Sequence, residues 1–350
     1  MKKSIVIYGL LMVTGFNCYS QTYVAQFNPV GSKEWGYIKT DGEILIPAQY
    51  RRCHAFSEEG LAVIYDKQTK RFYFINLKGE KLDTEVKDFR MKEAFGFGLK
   101  GFEFGMVQVK YDDKWGYLNT EGKAVIPAKY DYVSEFEGEY AVTKIGDAFY
   151  IIDKKGTETS VKIPDLADVR NFSEGLAPFK TTAGNFGFID TKGNKVIEAQ
   201  YDGVGYFVGG LAWAKTTEGT IGYIKSDGQW AIKPQYKAAK NFDPASGIAR
   251  VKDGDVWLYI NKSGEKTPTS DSEIVEDFID GLARGRKENK FGYYNTKGEW
   301  VIEPKFDGAR DFINGFALAK SGDLWGIIDK SGSWVVEPEF AGLKDVAKVK

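Results

Sequence analysis

The chain carries one histidine and two cysteines. Cys53 and His54 are neighbours, the one place where a thiol and an imidazole stand together. A nucleophilic thiolate needs a base within hydrogen-bond reach. Successive side chains of a strand point to opposite faces, so adjacency in sequence does not bring these two together. No second histidine exists to replace the partner. Cys53 therefore reads as a small buried hydrophobe. A zinc site would need His54 plus scattered carboxylates, and no ligand spacing joins them. Asp253-Gly254-Asp255 and Asp112-Asp113 are oxygen-rich enough to suggest calcium. Neither matches an EF-hand loop, and acids beside glycine are ordinary turn chemistry. No glycine pattern for phosphate or dinucleotide follows a strand and opens a helix. Glycoside hydrolysis needs two carboxylates that meet only in three dimensions, so the sequence leaves it open. The expectation is a protein with no catalytic residues, no cofactor and no metal, and not an enzyme.

Aromatic residues make up 15% of the chain. They can stack on sugars or build a core, and the elements that hold them decide which. Those elements repeat. Trp115-Gly116-Tyr117-Leu118-Asn119-Thr120-Glu121-Gly122-Lys123-Ala124-Val125-Ile126-Pro127 is copied along nearly the whole sequence. Counting its first aromatic as position 0, copies begin at Trp35, Phe72, Trp115, Phe149, Phe186, Ile221, Trp257, Phe291 and Trp325. Spacings of 34 to 43 residues mark a repeat architecture. Glycine stands at position 7 of every copy, from Gly42 to Gly332.

Each part of the unit has a mechanical reason. Phe186-Gly187-Phe188-Ile189 is short, aromatic and β-branched, as a strand is. Asp190-Thr191-Lys192-Gly193 is a turn: Asp bonds its own backbone two residues on, and Gly supplies the positive φ. Lys195-Val196-Ile197 is a second strand. A proline follows in several units (Pro47, Pro127, Pro234, Pro304, Pro338) and marks a strand end or an edge. A polar link leads to a further phenylalanine (Phe56, Phe136, Phe207, Phe242, Phe278, Phe312) and then to a Gly-Leu-Ala-like third strand, as at Gly210-Leu211-Ala212. No stretch shows helical periodicity. The fold class predicted is all-β: a tandem array of about nine three-stranded antiparallel repeats, drawn as a solenoid-like superhelix, with propeller-like closure as the alternative.

These residues resemble the WG-repeat (KWG-type) proteins of bacteria. Lys114-Trp115-Gly116-Tyr117, Glu34-Trp35-Gly36-Tyr37, Leu324-Trp325-Gly326-Ile327, the glycine at position 7, the Ile-Pro-x-Tyr run and Phe172-Ser173-Glu174-Gly175-Leu176-Ala177 carry the resemblance, over residues 23 to 350. It implies a β-rich repeat array and supplies no catalytic residues to carry over. Units two, four and seven depart from the pattern, because Phe72-Tyr73, Phe149-Tyr150 and Trp257-Leu258 lack glycine at position 1.

Residues at positions 0 and 2 share a strand face. Trp35 with Tyr37, Trp115 with Tyr117 and Phe186 with Phe188 thus form an aromatic column, expected to be core between stacked hairpins. Trp213, Trp230, Trp300 and Trp334 lie off that column and are the tentative ligand contacts. The acids have repeat-bound roles: Asp153, Asp190 and Asp329 open turns, and Glu58, Glu135 and Glu174 precede a third strand. Arg90 to Phe104, with its glycines and phenylalanines, is the least regular link and a place where a binding loop would sit, with a divergent link as the plainer reading.

Residues 1–20 read as a signal peptide: Lys2 and Lys3, an apolar run from Ile5 to Phe16, and cleavage before Gln21. Cys18 would be the acylated residue of a lipoprotein, but Asn17 fits that site poorly. Residues 21–350 form the array. Removing Lys2 and Lys3 leaves 46 basic against 49 acidic residues, interspersed. That balance gives no footing for nucleic acid. No other run is long and apolar enough for a transmembrane segment. Cys53 would be the sole cysteine of the exported chain, so no internal disulfide is possible.

Tyr23-Val24-Ala25-Gln26-Phe27 looks like the third strand of a missing first unit, and Asp345 to Val349 like that strand for the last. The function expected is a non-enzymatic repeat protein, periplasmic, outer-surface or extracellular, that binds or scaffolds a protein partner of the envelope. The alternative is a glycan-binding module using exposed aromatics. A hydrolase with an unrecognised site is the third reading.

Overall fold

A computed structural model describes residues 21–91, 93–94, 98–99 and 101–350, and these contain β-strands and turns but no helix. The strands form small antiparallel sheets, most of them four-stranded. Gly203–Val204, Ala212–Lys215, Ile221–Ile224 and Trp230–Tyr236 lie side by side in chain order. A sheet thus takes its link and Gly-Leu-Ala strand from one unit and its first two strands from the next. The unit had been expected to hold three strands. The polar link adds a fourth, as when Tyr132–Val133 pairs with Lys144 and Thr143. Two residues are too few to show a period-2 pattern, which is why the link looked irregular.

Each tight turn follows the sequence chemistry. The Asp190 carboxylate accepts from the backbone N–H groups of Lys192 and Asn194 at 2.9 and 2.8 Å. Asp153 and Asp329 do the same in their units. All nine position-7 glycines adopt positive φ, from +77° to +90°. Glycine reaches this region without the penalty a Cβ imposes.

Glycine at position 1 has another cause. In unit one, Trp35 pairs with Tyr50 and Tyr37 with Ile46, so two steps on one strand face four on the other. This bulge carries Pro47, which has no N–H to lose from the ladder. It drives a carbonyl against the facing strand. A Cβ on Gly36, Gly116, Gly187, Gly222, Gly292 or Gly326 would lie 2.4–2.5 Å from the carbonyl oxygen of residue 46, 126, 197, 232, 302 or 336 respectively. Units four and seven pair residue for residue: Tyr150 faces Ser160 and Ile151 faces Thr159, and likewise Tyr259 faces Thr267 and Ile260 faces Lys266. Without the bulge there is room for Tyr150 and Leu258.

Successive sheets are joined by position 2. Its residue is at most 1% exposed in every unit, from Tyr37 to Ile327. Where it is tyrosine, its hydroxyl donates to a backbone carbonyl seventeen residues on, in the next sheet's link. Tyr37, Tyr117, Tyr223, Tyr259 and Tyr293 reach His54, Ser134, Lys240, Glu276 and Arg310 at 2.5–2.7 Å. The recurring phenylalanine lies edge-on or tilted against the same ring, with centroids 4.6–4.9 Å apart in pairs such as Tyr117 with Phe136 and Tyr293 with Phe312. Such pairs add about 1 kcal/mol beyond the area they bury. Position 0 follows the expected column in part: Phe186 is buried, but Trp35 and Trp115 are half-buried. Trp35, Trp257 and Trp325 are half-buried, and a cation covers each ring: Lys344, Arg250 and Arg310 at 4.4, 4.7 and 5.4 Å.

The buried residues fall into clusters shared by neighbouring sheets. Tyr117 and Ile126, for example, pack with Val133, Phe136, Ala141 and Ile152 of the next sheet. The two ends of the array meet. Thr22–Pro29 pairs with Trp35–Lys39, as a third strand should, and on its other side with the stretch from Phe340 to Val349. Phe27 faces Leu343 and Asn28 faces Gly342 in the register that Thr143 and Lys144 use toward Val133 and Tyr132. Ala25, Phe27 and Ile38 share a core with Leu318, Ile327, Val336 and Phe340. The last segment therefore does not extend its own unit, as expected for Asp345 to Val349. It completes the sheet begun by the spare first strand, because an unpaired strand on each end offers the same ladder of donors and acceptors.

Candidate binding site at the converging links

Cys53 is fully buried, and Gln26 Nε2 donates to its carbonyl at 2.7 Å and approaches its sulfur at 3.2 Å. Burial pushes the thiol pKa up, against the activation a nucleophile needs. His54 is pushed down to about 4 by burial, then by Lys344 and Arg52. It is neutral at pH 7 for that reason. The two oxygen-rich pairs are hairpin turns. Asp112 and Asp113 both take positive φ between strands Met106–Tyr111 and Lys114–Asn119. Asp253 faces Lys266 at 3.1 Å, and Asp255 faces Lys237 at 3.3 Å.

Several acids before third strands tie one unit to the next. Glu174 accepts from the backbone N–H of Gly209 and Gly210 at 2.7 and 2.9 Å. Asp243 accepts from Asp280 and Gly281, and Asp280 in turn from Gly315 at 2.6 Å. Glu58 pairs with Lys350 at 2.5 Å.

None of the four off-column tryptophans stands free; all are half-buried. Trp230 packs edge-on to Tyr201, Trp300 to Tyr294 and Trp334 to Phe306, at 5.3–5.7 Å between centroids. Trp300 Nε1 also donates to Asp271 at 2.7 Å. Trp213 lies against the core formed by Tyr223, Ile232 and Phe242. Trp213 and Trp300 meet their own cross-strand neighbours Tyr223 and Tyr294, whereas Trp230 and Trp334 meet rings of the preceding unit, Tyr201 and Phe306, which sequence could not show.

The structure instead brings together residues flanking the recurring phenylalanine. Glu103, Glu135, Glu137, Asn171, Tyr206 and Asn241, from five successive units, line one cavity of about 420 Å³. Phe136 and Phe172 contribute its apolar part. Asn171 Nδ2 donates to the Glu135 carboxylate. Burial raises the Tyr206 pKa, with Glu135 and Asp168 adding to the rise and Arg170 opposing it. Arg170 is itself held over the Phe186 ring at 4.6 Å and reaches the Val204 carbonyl at 3.3 Å. The link from Arg90 to Phe104 touches this site at Glu103; Leu99 and Phe102 are buried beneath it, and residues 92, 95–97 and 100 lie outside the described residues. The cavity was missed in sequence because its residues share no type. The available signal was positional: one place, just before an otherwise regular phenylalanine, carries Glu135, Asn171, Tyr206 and Asn241 in turn.

The fold and its repeated glycine-bearing bulge define an all-β repeat protein built from small antiparallel sheets. The chain belongs to the WG containing repeat family, which matches residues 35–65, 115–147, 186–218, 221–257, 291–325 and 325–346. Each match begins at a position 0 that glycine follows, and none begins at Phe72, Phe149 or Trp257. No curated protein matches the chain. Similar solved structures include dipeptidyl peptidase 4 of Porphyromonas gingivalis, at 8% identity and TM-score 0.48, covering 81% of this chain and 58% of that one. AztD of Citrobacter koseri aligns at 12% identity and TM-score 0.41, over 94% of this chain and 98% of that one. BamB of Moraxella catarrhalis aligns at 11% identity and TM-score 0.36, over 69% and 87%.

Proposed function

We propose that this chain is a non-enzymatic binding and scaffolding protein, exported to the envelope or exterior, whose array closes on itself like a propeller rather than running on as an open superhelix. The observation that carries the binding reading is the cavity to which four successive units each contribute the residue before the recurring phenylalanine, with Glu103 of the preceding unit beside them. Ends that pair in the register of an ordinary sheet support closure. Closure removes both free ends and makes the array one rigid frame. The polar groups that could have served catalysis are taken up by turns, inter-unit carboxylate contacts and burial, which favours a binding role. The leader at residues 1–20, including Cys18, lies outside the described residues and enters as part of the proposal.

The partner proposed is an envelope protein. Residues 21–350 are immobilised and exposed to detergent-solubilised envelope, before and after glycosidase treatment. A protein retained in both, and lost when Tyr206→Ala and Asn241→Ala are combined, supports the reading. Capture abolished by the glycosidase moves it to the glycan-binding alternative. Capture unaffected by the double substitution removes the cavity from the function.

A further inference from the structure

The place before the recurring phenylalanine is acidic in units three, seven and eight: Glu135, Asp277 and Asp311. In the latter two the fold supplies a cation. Arg250 lies 2.6 Å from Asp277, and Arg284 lies 3.6 Å from Asp311. Each arginine stands on the strand residue that faces the position-2 tyrosine, Tyr259 or Tyr293. Each also donates to the carbonyl two residues before its aspartate, Val275 or Ala309.

Unit three has the acid without the cation. The residue facing Tyr117 is Gln108. Its Nε2 is buried and, among the described residues, has no hydrogen-bond partner. Gln26, at the same place in the first sheet, does reach its carbonyl, that of Cys53. Among the described residues Glu135 forms no ion pair, and its carboxylate accepts from the neutral amide of Asn171. This unanswered acid opens on the cavity, and Glu103, Glu137, Tyr206 and Asn241 surround the same space. Units seven and eight are thus the filled versions of a place that unit three leaves open, and the filler in both is a guanidinium.

We propose that the cavity lined by units two to six binds a guanidinium or primary ammonium group, with Glu135 as its charge partner and Asn171, Tyr206 and Asn241 as neutral hydrogen-bonding groups around it. A planar guanidinium suits a carboxylate flanked by amide and phenol oxygens, because its five donors need several acceptors at once. A hydrated ammonium makes the same charge contact with less directional demand. The inference rests on reading this cavity as the binding site, and it names the chemistry of what enters.

Calorimetry on residues 21–350 tests it with two sources of that chemistry: the capped tripeptide Gly-Arg-Gly, and agmatine as a free small amine. The citrulline tripeptide keeps the planar shape but loses the charge and exchanges one nitrogen donor group for a carbonyl acceptor. Binding of either cationic probe, at least about tenfold tighter than the citrulline analogue, is the expected result. The tripeptide binding and agmatine failing would assign a protein side chain as the source; the reverse would assign a free amine. Glu135→Gln should weaken binding about tenfold or more. Gln108→Arg installs the cation that Arg250 and Arg284 supply elsewhere. It should abolish probe binding while raising the melting temperature, so the result does not rest on a variant that fails to fold. No heat from either cation at millimolar concentration, equal binding of the citrulline peptide, or full binding by Gln108→Arg overturns the proposal. A partner captured from envelope extract but not displaced by agmatine or the arginine peptide would leave the scaffold reading standing and remove this one.

Discussion

Units five and four sit side by side and solve the same problem differently. In unit five, Gly187 faces a bulged second strand whose Ile197 carbonyl would stand 2.4 Å from a Cβ. In unit four, Tyr150 faces Ser160 across a regular ladder. Both bury the residue at position 2, Phe188 at 0% and Ile151 at 1% exposure. Both keep the turn glycine in the left-handed region, at +78° and +81°. The turn and a fully buried apolar side chain at position 2 are therefore what every unit needs to stack on its neighbour. The bulge is an option, and the Trp-Gly pair that names the family is the sequence mark of that option.

The largest effect expected is from adding a methyl where the bulge leaves no space. Gly292→Ala places a Cβ 2.4 Å from the Ile302 carbonyl, a backbone atom that cannot swing away. Overpacking of this kind should cost about 3 kcal/mol, against about 1 kcal/mol or less for Tyr150→Ala in a unit without the bulge. Urea unfolding of both variants measures the difference. Equal costs would break the distinction between the two kinds of unit.

The next is the hydroxyl that ties one sheet to the next. Tyr117→Phe keeps the ring against Phe136 but leaves the Ser134 carbonyl without its 2.7 Å donor. A buried acceptor left unpaired costs about 1–2 kcal/mol. Units with Phe74, Ile151, Phe188 or Ile327 at this place never had the bond. The cost should therefore appear in unit three and be absent for a change such as Tyr150→Phe, read from the shift in urea midpoint.

The smallest concerns whether glycine makes the bulge or merely permits it. Leu258→Gly removes the side chain from a regular ladder and should cost about 1 kcal/mol through backbone freedom. If glycine only permits the bulge, Lys266 and Thr267 stay paired with Ile260 and Tyr259, and their amide exchange stays slow. Fast exchange at both would show that glycine alone drives the register change.

Much of this was legible in the residues themselves. The turns were, because an Asp or Asn that bonds its own backbone and a glycine at positive φ act within four or five residues. The strands around them were, as was the burial of Tyr37, Tyr117 and Phe188. Position 0 was misjudged in part: Phe186 is buried as expected, but Trp35 and Trp115 are only half-buried, and Lys344 covers the Trp35 ring. The fourth strand was hidden, since Gly203–Val204 and its equivalents are too short to carry a pattern. Trp213 and Trp300 lean on rings of their own sheets, but the half-buried packing of Trp230 and Trp334 against Tyr201 and Phe306 depends on how neighbouring sheets meet.

By itself, the order of residues determined the repeat, the turns, the strand class and the glycine-marked copies, because each rests on interactions between residues close in the chain. Only the tertiary structure decided which strands share a sheet, that Phe27 lies beside Leu343, and that Glu135 and Asn241 line one cavity. Those relations join residues tens to hundreds of positions apart, and they arise from how far each sheet turns relative to the last. That angle is set by the sum of inter-sheet packing, tyrosine tethers and carboxylate contacts, and no single stretch of sequence records it.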